Sequence, residues 1–108
     1  MKDSAADFHT TMATIFERAR DETGYIATRF IQMVSEHGGL ATARKLLETT
    51  DPSDGFSTLW EKGRLDLSVE AHVIDPRFAD LFTAAERQTA RNRLAQYGYS
   101  PDDFHDLR

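Results

Sequence analysis

The amino-acid sequence predicts an all-α fold, a compact orthogonal or irregular bundle of about five to seven helices, several of them short. Apolar residues recur at helical spacing along almost the whole chain, and strand-like alternation is scarce. Glycines and cap-forming residues interrupt the pattern where helices should stop and start. The 108 residues fit a single domain spanning 1–108, with its core over about 4–98 and a tail, 99–108, that forms a short helix or a loop.

The first helix is expected from about Ser4 to about Glu22, capped by Asp3 or Ser4. Phe8, Met12, Ile15, Phe16 and Ala19 fall on one stripe. Gly24 suits the left-handed position after it. A second helix should run from about Ile26 to His37, with Ile26, Phe30, Met33, Val34 and His37 on one face and Gly38-Gly39 ending it. A third should run from about Leu40 to Glu48, with Leu40, Ala43, Leu46 and Leu47 inward.

Residues 50–55 are rich in turn formers. A short helix follows with Phe56, Leu59 and Trp60, ended near Gly63. Another should start near Asp66 and bury Leu67, Val69, Val73 and Ile74. Leu65-Asp66-Leu67-Ser68-Val69 alternates like a strand as well, so residues 64–70 fit helix or extended chain. Asp75-Pro76 has the form of an N-cap with Pro at the first helical position, before Phe78, Leu81 and Phe82. Thr83-Ala84-Ala85-Glu86 matches a capping box for a helix to about Tyr97, stopped by Gly98. Ser100-Pro101 repeats the cap-then-Pro start. The first three stripes would line the core, with Trp60, Phe56, Phe78 and Phe82 closing it from the other side.

Apolar residues make up 40% of the chain and charged residues 29%, a globular balance that argues against disorder through the middle. No cysteine is present, which excludes disulfides, a thiol nucleophile and thiolate metal ligands. The N-terminus lacks the apolar stretch of a secretory signal, and no apolar run is long enough to span a membrane. A cytoplasmic location is the expectation. The net charge of −5 argues against a general nucleic-acid binder.

Gly24-Tyr25, Arg29-Phe30, Met33, Gly38-Gly39 and Ala43-Arg44-Lys45-Leu46-Leu47 form one distinctive stretch. Ser53-Asp54-Gly55-Phe56, Leu59-Trp60 and Arg64-Leu65-Asp66-Leu67-Ser68-Val69-Glu70 form another, followed by Leu81-Phe82-Thr83, Arg91, Leu94 and Tyr97-Gly98-Tyr99. Together they resemble a small uncharacterised bacterial all-helical domain, found in short stand-alone proteins and beside HNH-type or restriction-type nucleases. The resemblance covers residues 24–99. It implies an accessory part of a bacterial system and carries no catalytic residues.

Several groups are candidates for chemistry. Asp66 and Glu70 stand at i, i+4 with Arg64 just upstream, a carboxylate pair with a cation suited to acid–base work. The alternative is a structural ion-pair set, with Asp66 capping a helix and Glu70 in a salt bridge. Arg87 and Arg91 are one helical turn apart; with Arg93, Arg44 and Lys45 they could form a phosphate-contacting face. Otherwise they are a solvated helix face. Tyr97, Tyr99 and Phe104 could form a docking patch or pack on their own helices. His9, His37, His72 and His105 lack metal-ligand spacing, so no metal or other cofactor is expected. Gly38-Gly39, with Thr42 and Arg44 near, reads as a helix stop in preference to a phosphate cradle. The leading functional expectation is a non-catalytic protein-interaction or accessory module with a protein partner or self-association. A nucleic-acid-binding accessory domain and an enzyme using Asp66 and Glu70 are the alternatives.

Overall fold

The 20-residue stripe from Ser4 is long enough to form the main helix of the molecule. In the computed structural model, which describes residues 4–99, it becomes α1 (Ser4–Thr23). The chain continues through α2 (Thr28–His37), α3 (Gly39–Glu48) and α4 (Asp54–Glu61). A 3-10 turn (Leu65–Leu67), α5 (Val69–Val73), a 3-10 segment (Pro76–Leu81) and α6 (Ala84–Gln96) complete it. The described residues contain no strand. The expected starts at Ser100-Pro101 and the Asp3 cap lie outside the described residues.

The core follows the stripes. Phe8, Met12, Ile15 and Ala19 of α1 are buried, and α1 packs on α2, α3 and the Pro76–Leu81 segment. Phe8 sits edge-on to Phe78 at 5.1 Å and to Phe82 at 5.2 Å between ring centroids. Such edge-to-face pairs add about 0.5–1.5 kcal/mol beyond area burial. Ala43 and Leu47 of α3, Val73 of α5 and Ala90 and Leu94 of α6 close the interior.

Side chains satisfy several helix starts; the Asp75 and Thr83 caps match the sequence signals, and Ser53 adds one. Ser53 Oγ accepts from the Phe56 N–H at 3.2 Å, and Asp75 Oδ1 from the Arg77 N–H at 2.9 Å. Thr83 and Glu86 complete a capping box. One cap comes from a distance: His9 Nδ1 on α1 accepts the backbone N–H of Gly39 at 3.0 Å. The first turn of α3 is thereby tied to α1.

Four expectations change. Gly38 alone stops α2, with φ 88°, and Gly39 belongs to α3. Its lack of a side chain is required: a Cβ there would stand 2.8 Å from His9 Cα. The second helix starts at Thr28, so Ile26 falls outside the helical face and is 60% exposed. His37 is also exposed. Trp60 does not close the core. Phe56 and Leu59 take the inward face of α4, and Trp60 lies at its edge, 48% exposed, against Tyr97 at 5.2 Å.

Residues 64–70 combine the two expectations. Leu65, Leu67 and Val69 are all buried, which accounts for the alternation, yet the backbone makes a 3-10 turn and then α5. Ser68, not Asp66, caps α5, accepting from the Ala71 N–H at 3.2 Å. His72 on α5 donates from Nδ1 to the Ser68 carbonyl at 2.8 Å. Burial pushes its imidazole below the ordinary histidine pKa.

Two stability predictions follow from this packing. Gly39→Ala should lower unfolding stability by about 1–3 kcal/mol in urea titration, the usual cost of overpacking against a backbone that cannot yield. The folded state favours neutral His72, so on acidification the unfolded chain takes up the proton first. Stability is then lost as pH falls below the ordinary histidine value of about 6.5. The stability advantage of the wild type over His72→Asn should therefore shrink between about pH 8 and pH 5.

Candidate functional site

The site grows from a gap between helices. The positive φ of Gly24 (78°) ends α1, and residues 25–27 run unwound before α2 begins. Helix α2 leans on α1 and α3, whereas α4 leans on the 3-10 turn Leu65–Leu67. The space left between α2 and α4 is a cleft of about 630 Å3. Ile15, Phe16 and Ala19 of α1 line it, with Ile26, Phe30 and Met33, Leu46 of α3, Pro52, and Phe56 and Leu59 of α4. Leu67, Ser68, Val69 and Glu70 also line it. Tyr25 lies along the start of α4: its hydroxyl is 3.2 Å from where a Cβ on Gly55 would stand. Burial, with Asp54 second, raises its phenol pKa.

Four polar side chains of the cleft are committed to the fold. Ser53 and Ser68 cap helices, and the Ser68 hydroxyl also donates to the Leu65 carbonyl at 2.7 Å. Thr49 Oγ1 lies 2.8 Å from both the Leu46 and the Asp51 carbonyl, which share its one proton. Glu70 is only 3% exposed and accepts from Arg93 Nη1 at 3.2 Å. Burial raises the Glu70 carboxyl pKa and outweighs the opposing pull of Arg93. No serine–histidine or cysteine–histidine pair stands in the lining among the described residues.

The expected Asp66–Glu70 pair is split. Ser68 interrupts the helix between them, so the two no longer share a face. Asp66 lies toward the surface, where both its oxygens accept from Arg64 at 3.0 and 3.1 Å. Arg64 also donates to Glu22 at 2.7 Å and ties the end of α1 to the 3-10 turn; the hydrogen bond from Arg18, with that from Arg64 second, holds the Glu22 carboxyl down at about 2. Arg64 and Asp66 form a structural ion pair, and Glu70 forms another with Arg93.

The expected basic face is also taken apart. Arg93 is 5% exposed and points inward. It donates to the Leu46 carbonyl at 2.8 Å and to the Thr49 carbonyl, closing the C-terminal end of α3. Arg87 is half-buried and donates to the Ile74 carbonyl just past α5 at 3.2 Å. Arg44 donates to the Leu81 carbonyl at 2.8 Å and pairs with Glu86 at 3.4 Å. Only Lys45 and Arg91 remain as exposed cations of that set with no bond recorded among the described residues. Helix C-termini leave carbonyls unsatisfied and attract cations. The arginines answer that need.

Of the expected docking aromatics, Tyr97 is wedged between Phe56 (5.0 Å) and Trp60 (5.2 Å). Tyr99 is half-buried on the core, and Phe104 lies outside the described residues. The exposed apolar groups are Ile26 and Trp60 instead. Ile26 was missed because its spacing fits the stripe of α2, although the helix begins two residues after it. Among the described residues there is no group of three or more metal-ligating side chains, and no helix is long and apolar enough to cross a membrane.

Comparison of the chain with protein-family models, curated proteins and solved structures finds no match. The site must therefore be read from its own geometry.

The buried ion pair makes a direct prediction. Arg93→Met should cost about 3–5 kcal/mol, because it leaves Glu70 buried without its cation. The double variant Arg93→Met with Glu70→Leu should recover much of that loss. Urea unfolding of the two variants and the wild type measures both effects.

Proposed function

We propose that this protein is a non-catalytic protein-interaction module, an accessory part of a bacterial system, and that the α2–α4 cleft is its recognition site. The observation that carries the reading is the cleft itself: an open, mainly apolar hollow of about 630 Å3 with an exposed isoleucine on its lip. Ligand pockets are typically concave, mostly apolar and about 300–1,000 Å3 in volume, and protein interfaces gain affinity by burying anchor side chains in such hollows. Exposed large apolar side chains beside such a hollow mark contact surface rather than core. The commitment of Ser53, Ser68, Thr49 and Glu70 to structural bonds supports binding over chemistry. The inward turn of Arg93 and the engagement of Arg44 and Arg87 weigh against a phosphate-binding face.

Selection of a random displayed-peptide library against the immobilised protein tests the reading. Sequences with a bulky apolar anchor should be enriched. Ile26→Asp should weaken their binding about tenfold, the equivalent of about 1.4 kcal/mol, while the unfolding midpoint stays unchanged. An unenriched library, or enriched peptides indifferent to Ile26→Asp, would overturn it.

A further inference from the structure

The charges around the cleft specify what should flank the anchor. Asp51, on the α3–α4 connection, and Asp54, the first residue of α4, both line the cleft and are exposed. Neither makes an ion pair among the described residues, unlike Glu22, Asp66, Asp75 and Glu86, which are each held by an arginine. Asp54 is favoured where it stands by the positive end of α4, but no cation neutralises it. Glu70 adds no net charge, because Arg93 is its partner. Arg29, on α2, is the one cation among the described lining residues. Two carboxylates against one guanidinium leave the mouth acidic, on a chain whose net charge is −5.

We infer that the partner of this cleft is a peptide segment in which a bulky apolar anchor is flanked by lysine or arginine. The inference rests on the interaction reading above and adds the chemistry of the occupant. The anchor fills the hollow between α2 and α4, and the flanking cations meet Asp51 and Asp54. Lysine and arginine suit this rim twice over, because their aliphatic stems cover apolar surface such as Ile26 and Pro52 while the charged ends reach the carboxylates. Complementary charge of this kind speeds encounter and selects partners, and it weakens with added salt.

Fluorescence anisotropy with short synthetic peptides tests it. All share one tryptophan–leucine anchor and differ only in flanks of lysine, serine or glutamate. At low ionic strength the lysine peptide should bind about tenfold more tightly than the glutamate peptide, with serine between, and the spread should narrow as salt rises. The double variant Asp51→Asn, Asp54→Asn should erase the lysine preference, bringing the lysine, serine and glutamate peptides to similar affinities. Arg29→Gln should widen the preference. Equal binding of the three peptides, or a lysine preference that survives the double variant, overturns this inference while leaving the interaction reading intact. Failure of all three to bind, with the displayed-peptide selection also empty, overturns both.

Discussion

One guanidinium holds the interior together. Arg93 of α6 reaches across the core to the Leu46 and Thr49 carbonyls at the end of α3 and to the Glu70 carboxylate at the start of α5. Three helices that are distant in sequence therefore meet at a single planar group. Desolvating an arginine and a glutamate is costly, and a buried pair of this kind stabilises mainly when every donor finds a partner. Here the backbone carbonyls of α3 take the protons that Glu70 does not. Glu70 also lines the cleft between α2 and α4.

The same logic repeats at smaller scale. A chain of many short helices has many ends, and each end leaves backbone groups unpaired. The N-terminal ends are met by Ser53, Ser68, Asp75 and Thr83, and in α3 by His9 from another helix. The carbonyl ends are met by arginines: Arg93 for α3, Arg87 beyond α5, and Arg44 after the Pro76–Leu81 segment. This explains why a locally basic stretch in an acidic chain does not present a basic face. Arg93 and Arg87 of that stretch bond to backbone carbonyls, and Arg91 alone of its three arginines stays exposed.

What that leaves outside is apolar on one side and acidic at its rim. Ile26 stays exposed because residues 25–27 must cross from the end of α1 to the start of α2 without helical hydrogen bonds. Asp51 and Asp54 make no ion pair among the described residues, whereas Glu22 and Asp75 are held by arginines.

Much of the architecture was legible in the order of residues. The stripe from Phe8 to Ala19, the left-handed glycines 24 and 98, the Asp75-Pro76 start and the Thr83–Glu86 box all express local physics: side-chain periodicity, backbone sterics and hydrogen bonds within one turn. Such effects need only neighbouring residues, so a linear reading captures them. The cleft and the inward turn of Arg93 depend on residues far apart in sequence, 47 positions in the case of Arg93 and Leu46. Periodicity placed Arg93 near Arg87 and Arg91 on a helix, but it carried no sign that the end of α3 would wait across the core. Tertiary packing decided which charges are buried and which stay exposed, because the cost of leaving a carbonyl or carboxylate unpaired depends on what surrounds it.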